Sequence, residues 1–206
     1  MNYYIDFDHT LFNTKLLTKE MLTTITNCIC KENDIEFEAC FEEVKGMFNR
    51  EHIYDIYKLI EYFSEKYNLN VKEVTEKINN VILNCNKFVF PDVEEFLKKL
   101  KKSGNKLYLL SYYEHELQYQ TAKILGSGLV NYFNGVFPTN TKKYELDLVY
   151  ENGIFIDDKP NELNGFYSKN AKQVIRIRRP NDTYSNIETN NENIKEYESL
   201  LDIKMD

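Results

Sequence analysis

The chain has 206 residues, 42% apolar and 29% charged, the balance of a soluble globular protein that can bury one core and carry an inserted unit. A net charge of -7 excludes broad attraction to phosphate backbones, so nucleic acid is not expected as a partner. No apolar run reaches membrane-spanning length, and Met1 to Ile5 lacks the basic stretch of a signal peptide, so a cytoplasmic protein with no membrane partner is expected.

Tyr3 to Phe7 is a short apolar, aromatic run that ends in carboxylates, which predicts a buried strand opening to solvent at its C-terminal end. From 15 to 88 the character changes. Leu16, Leu17, Met21, Leu22 and Ile25 recur at helical spacing, as do Ile53, Ile56, Tyr57, Ile60 and Phe63, and then Val71, Val74, Ile78, Val81 and Ile82. This predicts an insertion of three or four helices. Its cysteines, Cys28, Cys30, Cys40 and Cys85, fit no common zinc or redox spacing and read as reduced thiols.

After Pro91, Asp92 with Glu95 three residues on predicts a capping box. The helix it opens has an apolar face of Val93, Phe96, Leu97 and Leu100 and stops at Gly104. Strand Lys106 to Leu110 follows, then a helix from about Glu114 to Leu125 and a strand from Gly135 to Phe137. A short helix is expected around Tyr144 to Tyr150, strands at Gly153 to Ile156 and Val174 to Ile177, a polar loop from Arg179 to Asn191, and a terminal helix from Glu192 to Leu201. Strands alternating with helices predict an α/β fold, a parallel sheet covered on both faces, with ligands beyond the carboxyl ends of its strands.

Three predicted strands end in reactive side chains. Asp6 and Asp8 straddle one residue, Ser111 ends the second strand, and Asp157 and Asp158 follow Ile154 to Ile156. One aspartate before Pro160 and Asn161 is ordinary turn chemistry, but two adjacent carboxylates facing another acidic pair repel one another unless a cation lies between them. Mg²⁺, a hard ion that takes oxygen ligands and completes its shell with substrate phosphate, answers that need. Ser111 can donate to a phosphate oxygen or cap the next helix, and Lys142 or Lys143 can supply a positive charge or lie on the surface. His9 reads as a residue that shapes its loop, His52 and His115 as structural or exposed, Tyr112 and Tyr113 as pocket or packing residues, and Arg176, Arg178 and Arg179 as a solvated basic face.

These residues resemble the motifs of the haloacid dehalogenase-like superfamily. YYIDFDHT, Tyr3 to Thr10, is similar to its first motif, Asp-x-Asp-x-Thr after an apolar strand. Ser111 after KLYLL resembles the second, Lys142 or Lys143 the third, and IFIDD, Ile154 to Asp158, the fourth. The resemblance covers about 1–13 and 88–178. It implies a Rossmann-like core, 1–14 and 88–206, with an α-helical (C1-type) cap at 15–87. It further implies Asp6 as a nucleophile that forms an aspartyl-phosphate and Asp8 as general acid and then base. Thr10, Ser111 and Lys142 or Lys143 would meet the substrate. Mg²⁺ would be held by Asp6, the Asp8 backbone carbonyl, and Asp157 and/or Asp158. Dehalogenase members lack an acid at the position of Asp8, so a phosphate monoester hydrolase acting on a small phosphorylated metabolite or nucleotide is expected. A phosphomutase of the same family, or a non-catalytic phosphate-binding module, are the alternatives.

Overall fold

The computed structural model describes residues 1–50, 55–114, 116–189 and 191–204, so His52, Ile53 and His115 lie outside the described residues. The chain divides into two compact units, Met1–Thr14 with Asn86–Asp206, and Lys15–Cys85.

The first unit is built on six parallel strands, β1 (Asn2–Asp6), β2 (Lys106–Tyr112), β3 (Gly135–Thr139), β4 (Gly153–Asp157), β5 (Gln173–Ile177) and β6 (Lys195–Tyr197), in the order β3-β2-β1-β4-β5-β6. This is a Rossmann-like α/β arrangement. The chain builds outward from β1 on one side, then crosses to β4 on the other, and the crevice at that reversal is where such sheets bind ligands. The strands are near-continuous apolar runs because a parallel sheet is buried on both faces. On one face Tyr4 stacks on Phe155 (ring centroids 4.7 Å apart) and Tyr108 (5.2 Å), and Phe155 stacks on Phe166 (4.4 Å).

The second unit is helical: α1 (Thr14–Asn33, reaching back into the first unit by one residue), α2 (Phe37–Arg50), α3 (Ile56–Tyr67) and α4 (Val71–Leu83). Asp55 caps α3 by accepting from the amides of Tyr57 and Lys58, and Asn70 caps α4 by accepting from Glu73. Glu43 ties α2 to α3 through Lys66 (2.5 Å) and the Tyr67 hydroxyl (2.6 Å). No helix among the described residues is long and apolar enough to cross a membrane.

In the first unit α5 (Val93–Lys102) runs to a stop at Gly104, whose φ of 74° suits a residue without a Cβ. α6 (Leu117–Gly126) follows β2, and α7 (Pro160–Ser168) follows β4. Pro160 and Asn161 read locally as a turn, but Pro160 occupies the first turn of α7, where its missing N–H costs nothing.

Four other expectations are overturned. Only Lys143–Glu145 forms a helical turn in the stretch expected to be a short helix. Leu146, Leu148 and Tyr150 instead pack against the cluster of Phe155, Leu163 and Phe166, a spacing of two that suits extended chain. The expected terminal helix is replaced by β6, paired to β5 with Ile175 opposite Lys195 and Ile177 opposite Tyr197, and by a 3₁₀ turn at Leu200–Asp202. The open edge of β5 offers backbone partners, and Arg176 (2.9 Å) and Arg178 (3.3 Å) hold Glu196 beside it. The arginines are therefore not a solvated face: Arg176 and Arg179 are buried and paired.

Asp92 makes no capping bond to α5. Its carboxylate accepts from Arg179 at 2.7 and 2.9 Å, from the Ser199 hydroxyl at 2.8 Å and from the Leu200 amide at 2.8 Å, four donors that outcompete the helix amides. Burial opposes ionisation, yet Arg179 and the bonds from Leu200 and Ser199 hold its carboxyl below the usual range. Asp92→Ala is expected to cost about 3 kcal/mol near neutral pH, because Arg179 is left buried without its anion. A depressed carboxyl contributes stability above its unfolded value and loses it as pH falls through the folded one. Urea unfolding should therefore show a gap between wild type and variant that is constant from about pH 5 to 8 and narrows below about pH 4. A gap unchanged down to about pH 2 would show that the ion pair is not its source.

Candidate active site

β1, β2 and β4 lie side by side, and their carboxyl ends carry the candidate site residues. Asp6 closes β1, Asp157 closes β4 with Asp158 next to it, and Ser111 lies near the end of β2. After β1 the chain makes a tight turn, with Leu11 N–H donating to the Phe7 carbonyl (2.9 Å) and His9 N–H to the Phe12 carbonyl (2.8 Å). His9 takes a left-handed conformation (φ 63°) in that turn. The turn buries Thr10 completely, and its hydroxyl has no partner among the described residues.

Asp6, Asp157 and Asp158 are all buried, and each offers an oxygen within 4.8 Å of the others. Lys143 lies among them, its Nζ 2.5 Å from Asp6 Oδ1 and 2.7 Å from Asp157 Oδ2. Burial pushes Asp6 up to about 7, against the pull of Lys143 and with a further push from Asp157. Asp158 is raised well above the usual range by burial and by the charges of Asp6 and Asp157. Burial works against the Lys143 ammonium, but Asp157 and Asp6 outweigh it and hold the group charged. One ammonium among three carboxylates leaves negative charge uncompensated. Asp6 Oδ2 and Asp158 Oδ2 are buried with no hydrogen-bond partner among the described residues. A donor set of converging, unpartnered carboxylate oxygens fits a hard divalent cation.

α7 positions Lys143. Glu162 Oε2 accepts from the Lys143 amide at 2.9 Å, and Gly165 makes room for the next residue, since a Cβ there would lie 2.0 Å from the Tyr144 ring. Lys142 does not join the group: its side chain is exposed, 4.0 Å from Glu145 and over the Tyr144 ring. Between the two lysines the contacts with α7 decide, and they turn Lys143 inward.

Asp8 stands apart from the carboxylate trio, so three carboxylates converge rather than four. Its Oδ1 meets Lys123 Nζ at 2.6 Å and accepts from the Thr14 hydroxyl, and its Oδ2 accepts from Gln120 Nε2 at 2.7 Å. The same Gln120 nitrogen donates to the Ser111 hydroxyl oxygen at 2.5 Å, and the residue at the start of α6 is Glu116, so Ser111 is not its helix cap. Burial disfavours the charged Asp8, but Lys123, Thr14 and Gln120 together hold its carboxyl below the usual range.

At the rim, His9, Tyr112 and Arg176 meet Asp182, Lys159 and Tyr184, which no local sequence signal marks. His9 Nδ1 is 2.6 Å from Asp182 Oδ1, and Lys159 Nζ lies over the rings of Tyr112 (5.5 Å) and Tyr184 (5.7 Å). Arg176 Nε donates to the Asp158 carbonyl at 3.3 Å and Nη2 to the Tyr184 carbonyl at 2.6 Å, so it ties the rim loop to the acidic pair. No local sequence signal marks Lys123 and Gln120 as inward-facing. The buried stripe of α6 is Gln120, Lys123 and Ile124, so two of its inward positions are polar where a core helix would be apolar.

A family model described as haloacid dehalogenase-like hydrolase matches residues 4–145. No curated protein is a match by sequence. Among solved structures, a HAD phosphatase from Thermococcus onnurineus is 19% identical, with a TM-score of 0.59 over 97% of this chain and 94% of its own. A β-phosphoglucomutase-like protein from Thermotoga maritima is 16% identical, with a TM-score of 0.62 over 95% and 92%. A haloacid dehalogenase-like hydrolase from Burkholderia xenovorans is 15% identical, with a TM-score of 0.70 over 98% and 93%. At these identities the structural likeness speaks to fold.

Proposed function

The chain belongs to the haloacid dehalogenase-like hydrolases, and on that premise we propose that it is a Mg²⁺-dependent phosphate monoester hydrolase acting on a small phosphorylated metabolite or nucleotide through a covalent phosphate on Asp6. The observation that carries this is the state of Asp6: buried at a strand end, one oxygen on the Lys143 ammonium and the other without a partner among the described residues. A carboxylate so placed has an oxygen to offer an electrophile and a cation beside it to lessen repulsion from an incoming dianion.

In the first step an Asp6 oxygen bonds to phosphorus while the ester P–O bond breaks, and the leaving oxygen takes a proton from Asp8. In the second, a water oxygen bonds to phosphorus, the bond to Asp6 breaks, Asp8 takes the water proton, and inorganic phosphate leaves. The ionised resting form of Asp8 suits the second step. The first needs its acid form, which an arriving phosphate dianion favours by like-charge repulsion. An alkoxide leaving group needs that proton and a halide does not, so Asp8 favours phosphoryl transfer over carbon–halogen chemistry. Lys143 neutralises charge between Asp6 and the equatorial oxygens, while the Thr10 and Ser111 hydroxyls donate to them. Asp6, Asp157 and Asp158 would hold Mg²⁺, with the Asp8 backbone carbonyl. The ion would supply Lewis-acid neutralisation of the transferring phosphoryl group.

We read the helical unit as a cap that supplies substrate selectivity. The spacing of the four cysteines, which fits no common zinc or redox signature, supports a cytoplasmic setting.

Purified protein is expected to release nitrophenol from para-nitrophenyl phosphate with Mg²⁺ and to stop in EDTA. Mg²⁺ alone is expected to raise the melting temperature, since it binds the folded state only. Failure of both, with a panel of sugar phosphates and nucleotides also untouched, would overturn the hydrolase reading in favour of a phosphate-binding module.

A further inference from the structure

Asp8 is held by one face of α6. Gln120 and Lys123 are three residues apart and so lie one above the other on the helix. Gln120 Nε2 joins Asp8 Oδ2 to the Ser111 hydroxyl at 2.7 and 2.5 Å, and Lys123 Nζ takes Asp8 Oδ1 at 2.6 Å. The Lys123 side chain is 3% exposed, whereas that of Asp8 is 22% exposed and would otherwise have room to turn toward water. The ammonium also lies over the rings of Phe7 (5.7 Å) and Tyr119 (5.3 Å), which flank its position.

Burying an ammonium carries a large desolvation penalty that its partner must offset. A methionine or leucine at the same place would fill the volume without that cost, so packing alone does not account for a lysine here. What the lysine and the glutamine supply is geometry, because both oxygens of the acid–base carboxylate are committed to fixed donors. The Ser111 hydroxyl is held by the same amide.

We propose that Gln120 and Lys123 are positioning residues for the reaction, a clamp on α6 that holds Asp8 and Ser111 in one arrangement toward the phosphoryl group. The clamp rests on the hydrolase reading above. It acts most on the second step, because water must be aligned and deprotonated at once, whereas an aryl leaving group departs with little proton help.

The test uses the whole protein, Mg²⁺ and para-nitrophenyl phosphate, with acid-quenched phosphoprotein measured beside steady-state turnover. Lys123→Met is expected to keep KM within about twofold and lower kcat roughly 10- to 100-fold, part of the ~10²–10⁴ carried by a general acid–base group. Its phosphoprotein should accumulate. Lys123→Arg should recover part of kcat, since it still donates to Asp8. Gln120→Leu should show the same split to a smaller degree, and it decides the matter if Lys123→Met does not fold. In an Asp8→Asn background, Lys123→Met should add little, because both act through one group.

Wild-type kcat in both folded variants would overturn the clamp while leaving the hydrolase standing. So would a loss of kcat without phosphoprotein accumulation, which marks a merely structural role. A wild type that neither turns over nor becomes phosphorylated overturns the hydrolase reading, and the clamp with it.

Discussion

Asp6→Asn is expected to reduce turnover of para-nitrophenyl phosphate to background, a loss on the order of 10⁴-fold or more, the scale seen when a covalent nucleophile is removed. The amide oxygen is a poor nucleophile toward phosphorus, and no other carboxylate takes the place of Asp6 at the end of β1. The substitution should not unfold the protein. Burial, with Asp157 beside it, pushes Asp6 up to about 7 despite Lys143, so the native site disfavours its charge. A carboxyl raised in the folded state contributes stability that is present below its unfolded value and is lost as pH rises through the folded one. In EDTA, wild type should therefore lose stability between about pH 4 and 7, and Asp6→Asn should lose less of it over the same range. Melting curves across that range, run beside the turnover assay, separate loss of chemistry from loss of fold. Residual turnover within about tenfold of wild type would remove Asp6 as nucleophile.

Lys143→Met is expected to strike both activity and stability. Its ammonium is buried between Asp6 and Asp157, with Asp158 adding a third carboxylate to the group. Its removal leaves three carboxylates facing one another, and breaking a buried pair of this kind costs about 3–5 kcal/mol. In EDTA the melting temperature should fall sharply. Added Mg²⁺ should recover more in the variant than it adds to wild type, because the ion then meets the carboxylates with no competing cation. Turnover should fall about 10²- to 10³-fold even when Mg²⁺ restores folding, since a fixed positive charge near the developing oxyanion is gone. Lys142→Met, by contrast, removes an exposed lysine and should leave both measurements near wild type. A variant of Lys143 as stable as wild type in EDTA would show that the ammonium does not neutralise the trio.

The contrast between these lysines shows where sequence reading stops. Two adjacent lysines carry equal local signals. Lys143 is turned inward by a bond from its amide to Glu162 on α7 and by the space that Gly165 leaves for Tyr144, and α7 itself begins with a proline that reads locally as a turn. Asp92 shows the same limit. Its spacing to Glu95 is that of a capping box, but Arg179, 87 residues away in sequence, supplies stronger donors than the helix amides.

By itself the sequence determined the elements whose signal is local. The apolar runs of β1, β2 and β4, the amphipathic face of α5 and the carboxylates at the ends of β1 and β4 follow from short-range pattern, because a strand buried on both faces and a helix buried on one must carry those patterns to fold. Only the tertiary structure decided which lysine meets Asp6, that Asp8 is engaged by Gln120 and Lys123 rather than joining the trio, and that the C-terminal segment adds β6 to the sheet instead of forming a helix. Each of these depends on a partner brought near by the sheet from 14 to 137 residues away, and electrostatic and hydrogen-bond energies at that separation leave no periodic trace in the chain.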